Sequence, residues 1–229
     1  MRARSAQPEW MDTVAIPEED FARCLGDLAT VNLVTRATVP TLAFLRQASR
    51  RCPRDRPLRI LDVGSGGGDM LRRIGRWGKR RGQALELTGL DLHPHSTATA
   101  VRAGSDLIRY VNGDIFDWSY GASFDLIISS LFTHHLSDAS LVRFLRVMEE
   151  RSELGWFVND LHRHPVAYEG FRLMSLAAGW HGFVRHDGAV SVRRAFRVGE
   201  WRGYLAAAGI EGAEIRWYFP FRLCVSRLR

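Results

Sequence analysis

The 229-residue chain is 46% hydrophobic and 25% charged, the composition of a globular protein long enough to bury a full core. No apolar run reaches the roughly 20 residues of a membrane span, MRARSAQPEWMD has no signal-peptide core, and Cys24, Cys52 and Cys224 are too scattered for a disulfide framework or a metal motif. The net charge of +7 is almost wholly arginine, with Lys79 the one lysine, and it is spread along the chain; this weakens a nucleic-acid reading and leaves a reducing, cytoplasmic setting as the expectation.

From Asp20 to Arg51 the apolar spacing predicts two helices, one carrying Leu25, Leu28, Val31 and Leu33 and the next Val39, Leu42 and Leu45. RCPRDRP, with two prolines, predicts a joint between an N-terminal helical cap, residues 1–56, and a main domain, residues 57–229. Apolar runs then alternate with helical periods. LRILDVG, ALELTGLD, DLIRYVNGD, FDLIIS and GWFVND read as five strands. Met70, Leu71, Ile74 and Trp77 mark the face of a helix after the first strand. Leu141, Val142, Leu145 and Met148 mark another after the fourth. This alternation predicts an α/β fold with a doubly wound parallel sheet. Residues 161–197 interrupt it as an insertion: PVAYEGFRLMSLAAGW reads as a helix and HGFVRHDGAVSVRRAF as a structured loop. Beyond a strand's carboxyl end, such an insertion commonly shapes a substrate pocket. A helix over about residues 199–208 leads into AEIRWYFPFRLCVSRLR. That tail predicts an antiparallel terminal hairpin around Pro220, giving a seven-stranded, Rossmann-like sheet.

The strongest local signal is LDVGSGGGD, where a buried strand runs through glycines straight into a helix. A dinucleotide fingerprint would need glycine at position 69, which is Asp69, and the lysine and hydroxyl of a triphosphate loop are missing. What fits is acidic-x-Gly-x-Gly-x-Gly, with Asp62, Gly64, Gly66 and Gly68, followed by Asp91 in LTGLDLHP and Asp114 in NGDIFDW. Over about three-quarters of its length the chain thus resembles the class I S-adenosylmethionine-dependent methyltransferases. The resemblance implies that S-adenosylmethionine binds here and leaves as S-adenosylhomocysteine. It places Asp62 at the methionine amino group, with Gly64, Ser65, Gly66 and Gly68 around the donor. It also places Asp91 on the ribose hydroxyls, Leu92 and Ile115 on the adenine faces, Gly113 and Asp114 at the adenine amino group, and Ser130 beside the donor.

PEWMD, FVNDLHRHPVAY and VRHDGAVSVRRAF are similar to bacterial small-molecule methyltransferases of the ubiquinone-biosynthesis type, many of which serve phenolic or quinone-like natural products. The implied partner is a hydrophobic aromatic small molecule methylated at a phenolic oxygen, by a monomer or homodimer with no stable nucleic acid. Carbon methylation of an electron-rich ring is the first alternative. A SAM-binding module without catalysis and an RNA methyltransferase are those of another class. Strand four ends in SSLF, where amino-group methylation of nucleic-acid bases shows Asn/Asp-Pro-Pro-aromatic, and Cys52 precedes Pro53 where cytosine methylation uses Pro-Cys. Metal-dependent catechol methylation uses Asp-Asn where this chain has Asn159-Asp160, and the spacing of the eight histidines matches no zinc motif, so no metal is expected.

LFTHHLSD, after the fourth strand, resembles the HDWSD-like phrase of aromatic O-methyltransferases, which makes His134 the general base and His135 the alternative. Adjacent side chains diverge in helix and strand alike, so one imidazole at most is expected to reach the acceptor; the other, or both, would pack. Ser137 or Asp138 should cap the following helix. Asp160 and His162, with His164, form a second candidate catalytic set in which the carboxylate orients an imidazole. Phe171, Met174 and Trp180 are expected to wall an apolar pocket. Arg185 and His186 either bind an anionic acceptor or belong to a surface turn at Gly188.

Overall fold

The computed structural model describes residues 1–14, 16–52, 55–104, 107–117 and 124–229. Pro53 of the joint, Asp106 at the start of the third strand phrase and Trp118 lie outside the described residues.

Seven strands form one sheet: β1 (Leu58–Val63), β2 (Leu85–Asp91), β3 (Ile108–Asn112), β4 (Phe124–Ser130), β5 (Ser152–Leu161), β6 (Glu214–Tyr218) and β7 (Arg222–Leu228), in the order β3-β2-β1-β4-β5-β7-β6. The first five are parallel, and β7 runs antiparallel between β5 and β6, as the terminal hairpin predicted. The inner strands read as near-continuous apolar runs because helices cover both sheet faces. On one face α6 (Asp138–Arg151) and α9 (Val198–Ala208) place Leu141, Phe144, Leu145 and Trp201 on Leu61, Ile127 and Val158. On the other, α3 (Thr38–Ala48) and α4 (Asp69–Arg81) place Phe44, Leu45, Leu71 and Ile74 on Ile60, Leu126 and Phe157. Each of these buried side chains contributes roughly 1.5–3 kcal/mol.

Caps fix where the helices begin and end. Gly68 (φ +74°) starts α4, whose last turn carries Lys79, Arg80 and Arg81 on the negative end of the helix dipole, and Gly82 closes it. Ser137 accepts from the Ser140 N–H at the start of α6, the capping role expected of this phrase.

A third cluster lies apart from the sheet. α2 (Glu18–Val34), α7 (Pro165–Ala177) and α8 (Gly182–Arg194) gather Cys24, Val31, Trp180 and Val184, with Met11 of the short α1 (Trp10–Thr13) packed against them. The segment HGFVRHDGAVSVRRAF, expected as a structured loop, is thus helix α8. Its two glycines and three valines lower helix propensity, but Val184, Val190 and Val192 are buried by packing that propensity does not see. Among the described residues no single helix is long and apolar enough to cross a membrane.

The strand order places the crevice. From β1 the chain winds outward to β2 and β3, then returns to lay β4 on the other side of β1. The carboxyl ends of β1 and β4 therefore open on a topological switch point, the position where open α/β sheets bind ligands.

Candidate active site

The glycine loop leaves β1 at that switch point. A side chain at position 68 would meet the Tyr110 ring and hydroxyl, and one at position 64 would meet Phe132 at 2.8 Å, so both glycines are required by close approach as well as by positive φ. The loop is tied to its acid: Asp91 accepts from the Gly66 N–H at 2.8 Å through one oxygen and from the His93 N–H at 2.9 Å through the other. Next to it, Gly113 donates to the Asp91 carbonyl, Asp114 accepts from the Phe116 N–H, Ile115 is buried and Leu92 is exposed. The expected donor residues therefore line one edge, the carboxyl ends of β1, β2 and β3, with Ser65 and Ser130 beside them.

Asp62 is different from the other acids. It is 1% exposed, and one of its oxygens, Oδ1, has no hydrogen-bond partner among the described residues. Burial, with Asp69 and Asp91 nearby, pushes its carboxyl well above the usual carboxylate range. A cationic donor beside it would supply the missing bond and restore the charged form. The Ser130 hydroxyl at the end of β4, without a partner among the described residues, offers a further polar contact. These groups fit the amino-acid end of S-adenosylmethionine.

A cavity of about 510 Å³ adjoins the loop. Its walls are mainly apolar, from Leu25, Leu28 and Val31 of α2 to Phe171 and Met174 of α7. At its end sits the histidine turn. Leu131 has φ +55°, a conformation costing a bulky residue about 1–2 kcal/mol, and it turns the chain sharply after β4 into a single 3-10 turn, Thr133–His135.

Asp160, at the end of β5, organises that turn. One oxygen accepts from the Thr133 hydroxyl at 2.5 Å and from the His134 N–H at 3.0 Å. The other accepts from the Leu161 N–H at 2.7 Å and from His134 Nδ1 at 2.7 Å. With Nδ1 donating, Nε2 is the nitrogen free to take or give a proton. His134 is only 2% exposed. Burial alone would lower its pKa, but Asp160 and then Glu9 outweigh burial and raise it to about 9. Burial would likewise raise Asp160, and the imidazolium and hydrogen bonds of His134 overcome this and hold it near about 2.

Glu9, which sequence reasoning passed over, faces both imidazoles. Its Oε1 lies 3.5 Å from His134 Nε2 and its Oε2 3.7 Å from His135 Nε2, and Ser191 donates to it at 2.7 Å. Burial opposes its charge, but His134, His135 and Ser191 bring its pKa down to about 2. The N-terminal segment that carries Glu9 is held as a strap. Asp187 of α8 accepts from the Trp10 and Met11 N–H groups, capping α1 from outside its own helix. Arg194 spans the Gln7, His134 and His135 carbonyls, and Arg4 reaches the His134 and Leu136 carbonyls. Glu9, His134 and His135 bring three ligand atoms within 4.8 Å of one another, a set chemically able to hold a cation.

Several expectations need correcting. His134 and His135 do not diverge: in the 3-10 turn their ring centroids are 4.4 Å apart and both line the cavity. His135 is not core filling but partly exposed, with Nδ1 on Asp12 at 2.8 Å. Asp160 orients His134, not His162. The latter lies off the cavity, where its N–H bonds the Phe221 carbonyl. Trp180 belongs to the packed third cluster. Arg185 and His186 are on helix α8, not in a turn at Gly188. Arg185 is exposed away from the cavity, and His186 stacks on Trp10 at 3.7 Å. Phe171 and Met174 are in the wall as expected. Glu9 was hidden because a lone glutamate in a short N-terminal phrase has no local pattern. PEWMD itself was the one visible signal.

Residues 60–155 match the family model described as a methyltransferase domain. A tRNA1(Val) (adenine(37)-N6)-methyltransferase of Actinobacillus pleuropneumoniae serotype 5b (strain L20) is 29% identical over 106 residues, covering 43% of this chain and 44% of that protein. The chain thus spans less than half the length of the curated relatives it matches. Human N-acetylserotonin methyltransferase in complex with SAM superposes with a TM-score of 0.68 at 15% identity, covering 97% of this chain and 63% of that one. The plantazolicin methyltransferase BamL, in complex with a triazolic desmethylPZN analog and SAH, gives a TM-score of 0.65 at 15% identity, covering 90% and 73%. At these identities the structural likeness is one of fold.

Proposed function

We propose that this chain, whose residues 60–155 match a model of a methyltransferase domain, transfers the methyl group of S-adenosylmethionine to the phenolic oxygen of a hydrophobic aromatic small molecule. The donor lies along the ends of β1, β2 and β3, with Asp62 at its amino group, Asp91 at the ribose and Asp114 at the adenine. Bound there, it supplies an electrophilic sulfonium methyl. The observation that carries the reading is His134, buried at the wall of an apolar cavity, oriented by Asp160 through Nδ1 and facing Glu9 at 3.5 Å through Nε2.

The environment of His134 suits a phenol. Free imidazole, at a pKa of about 6.5, is some 3.5 units below a phenol at about 10, so proton transfer would be uphill by roughly 5 kcal/mol. Raised to about 9, the ring comes within about one unit, which leaves roughly 1.4 kcal/mol. As the phenolic O–H gives its proton to Nε2, the oxygen forms the new bond to the methyl carbon. The carbon–sulfur bond breaks with its electron pair left on sulfur, and the neutral thioether departs. An acceptor that enters as phenolate is instead paired with the imidazolium of His134. Glu9 and Asp160 keep that charged ring stable in an otherwise dry site.

The test is methyl transfer from labelled S-adenosylmethionine to a panel of alkylated phenols and dihydroxyarenes, with tRNA as the parallel acceptor. Label on the phenolic oxygen and none on tRNA is expected. Label on ring carbon would move the reaction to the carbon alternative. Transfer to tRNA alone would overturn the small-molecule reading, and calorimetry showing no binding of S-adenosylmethionine would overturn the methyltransferase reading altogether.

A further inference from the structure

Arg222, the first residue of β7, is one of the largest fully buried side chains in the molecule, at 1% exposure, and it lines the cavity. Its guanidinium has five N–H donors. One nitrogen donates to the Thr35 hydroxyl at 3.1 Å, while Nε and NH1 have no partner among the described residues. Among the described residues no carboxylate forms an ion pair with it, although Asp160 and Asp69 act on it from further off. Burial, unrelieved by a bonded anion, draws its pKa down. The other buried arginine among the described residues is treated differently: Arg163, equally enclosed, is bound by Glu200 at 2.6 Å and by the Ala195 carbonyl. An unpaired buried cation costs several kcal/mol, and a fold gains nothing by holding one in an apolar wall unless something else binds it.

We propose that Arg222 is a carboxylate-binding residue of the acceptor cavity, its free Nε and NH1 edge taking an acid group in the bidentate manner of a guanidinium. The inference rests on the methyl-transfer reading for what the acid group is attached to. Two sources share the chemistry: a carboxylate on the aromatic acceptor, and the methionine carboxylate of the donor. The sheet favours the acceptor. Asp62, expected at the donor's amino group, is on β1, while Arg222 is on β7, three strand positions away across β4 and β5. Arg222 pairs in the sheet with Leu161, the neighbour of the Asp160 that holds His134, so it stands on the His134 side of the cavity. The acceptor is then a hydroxyarene bearing an acid group, its apolar body against Phe171 and Met174 and its hydroxyl toward His134.

The experiment compares Arg222→Met and Arg222→Lys with the parent chain. Without ligand, Arg222→Met should melt at the same temperature or higher, because it removes an uncompensated buried charge and keeps the volume. Hydroxybenzoates should bind the parent at least 10-fold more tightly than the matching phenols in calorimetry without donor, and this preference should vanish in Arg222→Met and return in part in Arg222→Lys. That arm needs no turnover, so it stands or falls separately from methyl transfer. If the preference is absent but Arg222→Met weakens S-adenosylmethionine by 10-fold or more, the carboxylate site stands and its ligand is the donor. A lower melting temperature in Arg222→Met, with unchanged affinity for both ligands, would make Arg222 a structural residue and overturn the proposal.

Discussion

The two halves of the crevice are built in opposite ways. On the side proposed for the donor, one stretch of chain from Asp62 to Asp114 supplies nearly every polar group, each at the end of a strand or in the turn that follows. On the acceptor side, Glu9, His134, Asp160, Ser191 and Arg222 come from five remote places, and a strap from the N-terminus brings two carboxylates, Glu9 and Asp12, onto a turn more than 120 residues away. The first kind of site is local and rigid because the strands that carry it are the core of the sheet. The second depends on packing between the strap, α2, α7 and α8. It follows that substitutions should separate cleanly into those that affect donor binding and those that affect the acceptor's chemistry.

The largest separation is expected at His134. His134→Ala should lower methyl transfer by roughly 10²–10⁴-fold while S-adenosylmethionine affinity changes by less than about threefold. In the parent chain the rate should climb as pH approaches about 9, where Nε2 becomes free to accept a proton. Turnover near the parent rate in His134→Ala, with a flat pH profile, would remove it as the proton acceptor.

Asp160 should show the energetic side of the same network. It accepts four hydrogen bonds in a buried site, so Asp160→Ala should cost about 3–5 kcal/mol in urea unfolding, as breaking a buried ion pair does. The pH dependence of stability follows from the same pair. His134 binds its proton more tightly in the folded chain, at about 9, than in the unfolded one, at 6.5, so its stabilisation is complete below about 6.5 and is lost as pH rises through about 9. Glu9 and Asp160, each held near about 2, act at the other end: their contribution is present above their unfolded values of about 4 and is lost as pH falls toward 2. Unfolding midpoints measured from pH 3 to pH 10 should therefore fall at both ends, and the alkaline fall should disappear in His134→Ala.

A smaller effect, confined to the donor half, is expected at Asp91. Asp91→Ala removes the acceptors expected for the ribose and also frees the Gly66 and His93 N–H groups, so S-adenosylmethionine should bind roughly 10–100-fold more weakly in calorimetry. The pH profile of turnover with saturating donor should be unchanged, since His134 and its partners are untouched. Equal affinity in parent and variant would remove Asp91 from the donor site.

This contrast also explains what was legible in the sequence. The half proposed for the donor stands out in the sequence because its signal is consecutive: a buried run, a glycine turn that admits no side chain at Gly64 or Gly68, and acids closing the next two strands. The sheet could be read for the same reason, down to the reversed hairpin. Helix α8 could not, because its valines gain from burial against α2 and α7 and local propensity is silent on that. The relation between the two histidines was misjudged because the divergence rule holds for helix and strand, whereas Leu131, forced to positive φ, starts a 3-10 turn that obeys neither. Asp160 was recognised as an orienting acid, but its partner was sought among its neighbours His162 and His164 and found instead in the turn after the adjacent strand, at His134. Glu9 and Arg222 carry no local pattern at all. Only the closed fold shows one between two imidazoles and the other without an anion.

The mildest expected effect tests whether the strap belongs to the acceptor half alone. Asp187, near the middle of α8, holds the first two N–H groups of α1 and so fixes the segment that carries Glu9. Asp187→Ala removes a cap worth about 1–2 kcal/mol, a loss the 229-residue chain should register as a fall of only a few degrees in melting temperature. The catalytic consequence should be more selective than the thermal one. With Glu9 less well placed, the acceptor's KM should rise several-fold and the alkaline limb of the rate profile should shift downward, since His134 loses one of the two carboxylates that raise its pKa. Donor affinity should stay at the parent value, because neither the glycine loop nor Asp91 touches the strap. An equal loss of donor and acceptor affinity would mean that the strap supports both halves, and the division of the crevice into a local donor side and an assembled acceptor side would fail.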